Sequence, residues 1–214
     1  MICLAISDKK VENCLSLLDK AELAEIRLDL TEFSIEEIKM VFKHPTPAIA
    51  TCRPDKTGKK EQLEKLTAAI QAGAAYVDIE IEADKDQQEA LIAVARKNNC
   101  KVIVSYHNFE STPGLKDLYN IIDECYTLGA DVAKIATLCH TKADSARLLS
   151  LYSTDKPLVA LGMGKYGKIT RIMAPFMGAE FTFASTDEGV ETAPGQIGYS
   201  RMKEIIHYLN NELN

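Results

Sequence analysis

Short runs of β-branched and apolar residues alternate with longer helix-like segments along the whole of this chain, and that alternation narrows its possible folds more than any other feature. Strands are predicted near 2–6, 24–29, 47–53, 75–82, 101–107, 131–137, 157–163 and 180–185, and helices near 11–21, 34–43, 59–72, 84–98, 115–128, 141–153, 168–177 and 196–212. Strand–helix repetition of this kind builds a parallel sheet. About eight repeats in 214 residues lie near the lower limit for an eightfold β/α barrel, roughly 200 residues, so its loops must be short. An open doubly wound sheet alternates in the same way and is the rival architecture.

The punctuation agrees with these elements. Ser34-Ile35-Glu36-Glu37 is a capping-box pattern, in which Ser and the Glu three residues on satisfy each other's orphan N–H groups. Gly73, Gly129 and Gly178 each stand between a helix-like segment and a strand, where a helix can end in the left-handed conformation. No composition shift or linker marks a second domain, so residues 1–214 are expected to form one α/β domain, a (β/α)8 TIM barrel.

Within the strands, the polar residues fall on one side. Glu25 with Arg27, Asp78 with Glu80, and Ser105 with His107 are each two residues apart, Arg53 shares a face with Thr51, and Lys134 stands opposite Ala133 and Ile135. Strand side chains alternate with period two, so each segment has an apolar face and an ionisable one. Parallel strands buried on both faces are usually near-continuous Val, Ile and Leu. Helices are therefore expected over the apolar faces, with the ionisable faces converging inside the barrel. Buried charges must neutralise one another or a ligand there. A structural ion-pair network would satisfy the same pattern.

Charge and cysteine usage exclude other classes. A net charge of −6 and a pI near 5.3 argue against a nucleic-acid surface, which wants a basic face. The six cysteines, at 3, 14, 52, 100, 125 and 139, form no CxxC pair and read as reduced, buried thiols. No run approaches the ~18 apolar residues of a membrane span, and no signal peptide is visible, so a cytoplasmic protein with no membrane partner is expected.

Lys134 in the middle of a strand, desolvated and near arginines, is expected to be pushed toward the free amine. Such an amine attacks a ketone to give an imine, an electron sink once protonated. His107, one strand away, has the intrinsic pKa of a general acid–base, and Glu80 can orient its ring. Arg27, Arg53 and Arg171 offer forks for carboxylates and hydroxyls. His44, His140 and His207 read as surface positions. These residue types imply an imine-forming lyase or aldolase and distinguish the two no further.

Glu25-Ile26-Arg27-Leu28-Asp29, Thr51-Cys52-Arg53, Val77-Asp78-Ile79-Glu80, Ser105-Tyr106-His107-Asn108-Phe109, Val132-Ala133-Lys134-Ile135-Ala136, Met163 through Arg171, and Ala193-Pro194-Gly195-Gln196, in this order, resemble type I 3-dehydroquinate dehydratase over essentially the whole chain. The resemblance implies a (β/α)8 barrel that converts 3-dehydroquinate to 3-dehydroshikimate with no metal or added cofactor, as a homodimer. It implies that Lys134 forms the imine, His107 moves the protons and Glu80 orients His107. Glu25, Arg27 and Arg53 would then hold ring hydroxyls, Arg171 the substrate carboxylate and Gln196 the substrate from a closing loop, with Met163 and Phe183 lining the pocket. Thr192 stands where the family usually has a serine and would keep its hydroxyl contact, in a lid reaching from Asp187 to Gly195. Two rivals remain, a class I aldolase acting on a sugar phosphate and a non-catalytic binding descendant. The aldolase would want glycine-rich phosphate turns after strands seven and eight, and Phe183-Ala184-Ser185-Thr186 has no glycine.

Overall fold

The computed structural model describes residues 1–53, 57–187 and 195–213. Its strands are β1 (Ile2–Ile6), β2 (Leu23–Arg27), β3 (Ala48–Thr51), β4 (Tyr76–Glu80), β5 (Lys101–Asn108), β6 (Val132–Leu138), β7 (Leu158–Met163) and β8 (Thr182–Ser185). They are followed in turn by α1 (Val11–Leu18), α2 (Ile35–Phe42), α3 (Lys59–Ala72), α4 (Lys85–Lys97), α5 (Leu115–Thr127), α6 (Lys142–Ser150), α7 (Gly164–Met173) and α8 (Tyr199–Leu213). All the strand pairs are parallel, in the order β7-β6-β5-β4-β3-β2-β1-β8. Because β1 pairs with both β2 and β8, the sheet wraps round on itself with no reversal of strand order, which removes the doubly wound alternative. β7 and β8 meet at a seam without a ladder. It is bridged by one backbone bond, from Glu180 N–H to the Leu158 carbonyl at 3.1 Å.

The helices form because each carries an apolar stripe for the outside of this barrel. α1 buries Val11, Cys14 and Leu18, and α2 buries Ile38, Val41 and Phe42, at the three- and four-residue spacing of one helix face. Ser34 and Glu37 cap α2 reciprocally, as the sequence suggests, and Thr141 and Asp144 do the same for α6. Gly73, Gly129 and Gly178 all have positive φ at their helix ends. All six cysteines are free and buried.

Most boundaries shift by one to four residues from expectation, and three are informative. α1 stops at Leu18, three residues early, and α8 starts at Tyr199, leaving Gln196 outside the helix. The helix expected from 168 begins as α7 at Gly164, directly off β7. The reason is close packing. A Cβ on Gly167 would sit 2.2 Å from the carbonyl carbon of Gly162, so only glycine lets α7 lie against β7 this tightly. Thr170 ties the contact together, accepting from Gly162 N–H and donating to the Gly167 carbonyl, each at 2.7 Å. This approach carries Arg171, one residue further on, into the barrel mouth. Gly167→Ala should therefore destabilise the fold by about 3 kcal/mol. That corresponds to a Tm lower by roughly 6–12 °C by calorimetry; an unchanged Tm would mean that the helix can back away freely.

The barrel interior is layered. Cys3, Leu23, Ile49, Tyr76, Ile103, Val132, Val159, Phe181 and Phe183 belong to one buried apolar cluster that forms the floor. Its aromatic rings meet edge to face, Tyr76 with Phe181 at 5.8 Å and Phe181 with Phe183 at 5.5 Å. Two residues further along five of these strands come Glu25, Thr51, Asp78, Ser105 and Lys134, all buried. Two residues further again stand Arg27, Arg53, Glu80, His107 and Ala136, at the C-terminal mouth, where β/α barrels place their chemistry.

Candidate active site

Over the floor opens a cavity of about 220 Å³, lined by Glu25, Arg27, Asp29, Arg53, Glu80, His107, Phe109, Lys134, Ala136, Leu161, Met163, Arg171, Phe183 and Gln196. Ten of the residues singled out from the sequence therefore share one chamber. The eleventh, Thr192, lies outside the described residues, as does the stretch 188–194 of the expected lid.

Period-two alternation aims the middle layer inward, and the register of the sheet brings it together. Ser105 on β5 is level with Lys134 on β6, and Glu80 on β4 with Ser105. Lys134 is 6% exposed, and its Nζ lies 2.8 Å from Asp78 Oδ2 and 3.3 Å from Glu25 Oε1, with the face of Phe183 4.5 Å below. Arginines were expected to press this nitrogen toward the free amine, yet its nearest charges are carboxylates. The reason lies on β4, where Asp78 points to the same side as Glu80.

Asp78 is the hub of the network. Its Oδ1 accepts from Ser105 Oγ at 2.6 Å and lies 3.0 Å from Arg53, while Oδ2 meets Lys134. Burial alone would raise its carboxyl, but Arg53 and then Lys134 outweigh burial and hold it far below the ordinary carboxylate range. Arg53 spans Asp78 and Glu80, the latter at 3.4 Å. Burial opposes its charge, but Asp78, Glu80 and Glu25 more than restore it. Arg27 grips Asp29 by two parallel bonds, of 3.1 and 2.8 Å. Four cationic side chains (Arg27, Arg53, Lys134, Arg171) thus face four carboxylates (Glu25, Asp29, Asp78, Glu80), so these described groups balance one another before any ligand arrives.

His107 stands at the mouth, stacked on Phe109 with centroids 6.2 Å apart and planes within 13°. Its Nδ1 is 3.8 Å from Glu80 Oε1, near enough for electrostatic contact and beyond hydrogen-bonding reach; among the described residues this buried atom has no hydrogen bond. Burial first, then Arg53 and Lys134, push the imidazole well below its ordinary value near 6.5. The ring is therefore neutral at physiological pH and able to accept a proton. Arg171 (2% exposed), Met163, Phe183 and Gln196 close the walls. His140 and His207 are exposed, whereas His44, expected at the surface, is half-buried and lies 3.2 Å from Asp19.

Asp78, Asp29 and Phe109 belong to the site and escaped the sequence assignment. Both aspartates carry the alternation signal, sitting two residues from Glu80 and Arg27. Phe109 follows the end of its strand, where alternation carries no information.

A chamber with a buried lysine, a neutral imidazole and arginine forks can form an imine, shuttle a proton and hold an anionic, hydroxylated substrate. Comparison with known proteins points the same way. Residues 2–212 match the family model described as type I 3-dehydroquinase. The 3-dehydroquinate dehydratase of Methanocaldococcus jannaschii is 34% identical over 217 residues, covering 96% of this chain and 97% of that protein. A counterpart from Methanococcus maripaludis is 33% identical over 222 residues, covering 98% and 100%. Among solved structures, the 3-dehydroquinate dehydratase of Aquifex aeolicus superposes with a TM-score of 0.79 at 28% identity, covering 97% of this chain and 98% of that one. The type I enzyme of Clostridium difficile shares the fold with a TM-score of 0.85 at 24% identity, covering 99% and 92%.

Proposed function

The chain belongs to the type I 3-dehydroquinase family, and from that premise we propose that it eliminates water from 3-dehydroquinate to give 3-dehydroshikimate through an imine on Lys134. The observation that carries the reading is the buried Lys134 nitrogen on the cavity floor, with a neutral His107 at the mouth of the same chamber.

Lys134 attacks the substrate ketone and expels water, leaving a protonated imine. That cation withdraws electrons from the neighbouring carbon, whose proton His107 accepts. The electron pair then pushes out the hydroxyl one carbon further on. His107, now charged, returns its proton to the departing oxygen, and hydrolysis of the imine frees the enone. Glu80, 3.8 Å from Nδ1, favours the charged ring by its own charge and steers it toward the substrate. Arg27, held by Asp29, and Arg53, held by Asp78 and Glu80, present fixed N–H groups to the ring hydroxyls, with Glu25 as acceptor. Arg171 pairs with the carboxylate, Gln196 contacts the substrate from the edge, and Met163 and Phe183 shape the apolar wall. Thr192 is assigned the hydroxyl contact the family usually gives to serine.

Purified protein should convert 3-dehydroquinate to the ultraviolet-absorbing enone and leave sugar phosphates intact. Cleavage of a sugar phosphate without dehydration would turn the reading toward an aldolase. Arg171→Ala should raise KM roughly ten- to a hundredfold, the worth of a charge-assisted bond, with a smaller change in kcat. An unaltered KM would remove Arg171 from the carboxylate site.

The same reading makes residues 1–214 one catalytic domain, working in the cytoplasm as a homodimer. No helix among the described residues is long and apolar enough to cross a membrane. Support for self-association comes from α7, where Tyr166, Ile169 and Met173 share one side at helical spacing and Met177 continues the stripe; Ile169 is 47% and Met177 45% exposed. Light scattering should give twice the chain mass for the wild type and the single mass for Ile169→Glu; a wild-type monomer would refute the dimer.

A further inference from the structure

We propose that Glu25 takes the proton that Lys134 must shed before attacking the ketone and gives it back when the new hydroxyl leaves, while Asp78 holds the nitrogen without exchanging a proton. The proposal rests on the imine reading above and assigns the first step of that chemistry.

Attack needs the lone pair of Lys134, and an ammonium held between two carboxylates must first pass a proton to an acceptor close by. Two are within reach, Asp78 at 2.8 Å and Glu25 at 3.3 Å. Their surroundings differ. Asp78 already satisfies the Arg53 guanidinium and the Ser105 hydroxyl, and protonating it would strand a buried, permanently charged arginine. Glu25 shares a single oxygen, Oε1, between Thr51 Oγ1 at 2.9 Å and Lys134; among the described residues Oε2 carries no hydrogen bond, and the residue borders the cavity. A proton on Glu25 breaks no pairing with a contacting arginine.

The other groups facing the nitrogen do not compete. Cys3 on β1 is a buried thiol pushed well above its ordinary value by burial and by Glu25, so it remains protonated. Arg27 on β2, Arg53 on β3 and Arg171 on α7 have no proton to exchange at neutral pH. Glu80 on β4 pairs with Arg53, and β7 offers Val159 level with Lys134. His107 on β5 is needed neutral for the carbon proton.

The step balances. The ammonium gives one proton to the Glu25 carboxylate. The freed lone pair forms the C–N bond, and the ketone oxygen becomes the carbinolamine oxygen with a proton from the attacking nitrogen. Glu25 then returns its proton, the C–O bond breaks and water departs. The imine nitrogen is left positive between two ionised carboxylates. No proton is gained or lost overall.

Rapid quenching of a single turnover with borohydride, read by intact-mass spectrometry, tests the assignment. In the wild type, adduct formation should vary little across the neutral and mildly alkaline range. In Glu25→Gln it should be about 10²-fold slower at neutral pH and should climb about tenfold per pH unit, because solvent must then remove the proton. Asp78→Asn should be slower with a flat profile, and Glu25→Asp should restore flatness. A flat Glu25→Gln profile, or a slope in Asp78→Asn, overturns the proposal. Should Glu25→Gln fail to fold, time-resolved infrared spectroscopy of the wild type decides. A transient carboxylic acid band should shift when glutamate carries carbon-13 in its carboxyl. A band that shifts with labelled aspartate, or no band at all, overturns it. Absence of any trapped adduct in the wild type would instead sink the imine reading itself.

Discussion

Borohydride added while the enzyme turns over 3-dehydroquinate should leave a single reduced adduct, on Lys134. Reduction fixes a C–N bond only where an imine exists, and among the described residues Lys134 is the lysine that lines the chamber. Its Nζ lies against Phe183 and two carboxylates, so it is held in place rather than swinging in solvent. Lys134→Met keeps the apolar bulk, removes the nucleophile and should lower kcat on the order of 10⁴- to 10⁶-fold, the scale seen when a covalent catalyst is deleted. Peptide mapping that finds the label on another lysine, or an active enzyme that takes up none, would end the covalent mechanism.

His107→Ala should cost kcat about 10²–10⁴-fold, the usual contribution of a general acid–base group. Trapping of the imine should survive, since the attack on the ketone is assigned to Lys134 and Glu25. Turnover near the wild-type rate would show that another group moves the carbon proton. The acid limb gives a second reading. Burial, Arg53 and Lys134 lower the pKa of His107, so by NMR its ring in the free enzyme should still be neutral at pH 6.5 and titrate well below. The sign for stability follows. The unfolded chain binds this proton near pH 6.5 and the folded chain only lower, so the contribution of His107 is full above 6.5 and lost as pH falls from there toward the folded value. Titration of His107 at or above 6.5 would contradict the buried, cation-flanked environment.

Much of this was legible in the sequence because a barrel turns one-dimensional alternation into three-dimensional convergence. Once eight strand–helix units are recognised, residues two apart on a strand share a face, and the ionisable ones can only meet inside. That reasoning placed Glu25, Arg27, Arg53, Glu80, His107 and Lys134 in one chamber. It did not reach the pairing within the chamber, since the partner of a given charge depends on the stagger between strands. Hence Asp78, with the same signal as Glu80, went unassigned although it touches Lys134, Arg53 and Ser105. Arg171 was legible as a fork by its residue type, but its pairing with the substrate carboxylate came by resemblance alone, because its position depends on how tightly α7 packs at Gly162 and Gly167, a property of surfaces that no period reveals. The seam between β7 and β8 lay out of reach for a similar reason, as each strand is ordinary by itself.

The aromatic layer beneath Lys134 has a consequence for traffic. With Tyr76, Phe181 and Phe183 interlocked under the amine, the described part of the barrel is a blind alley. Each catalytic cycle ejects one water when the imine forms and a second at elimination, then admits one to release the product. The net water of the cycle leaves by the doorway the substrate came through, beside the bound ring. Release of 3-dehydroshikimate therefore waits for solvent to slip by the bound ring, which couples the end of the cycle to the fit at the entrance rather than to the reacting bonds.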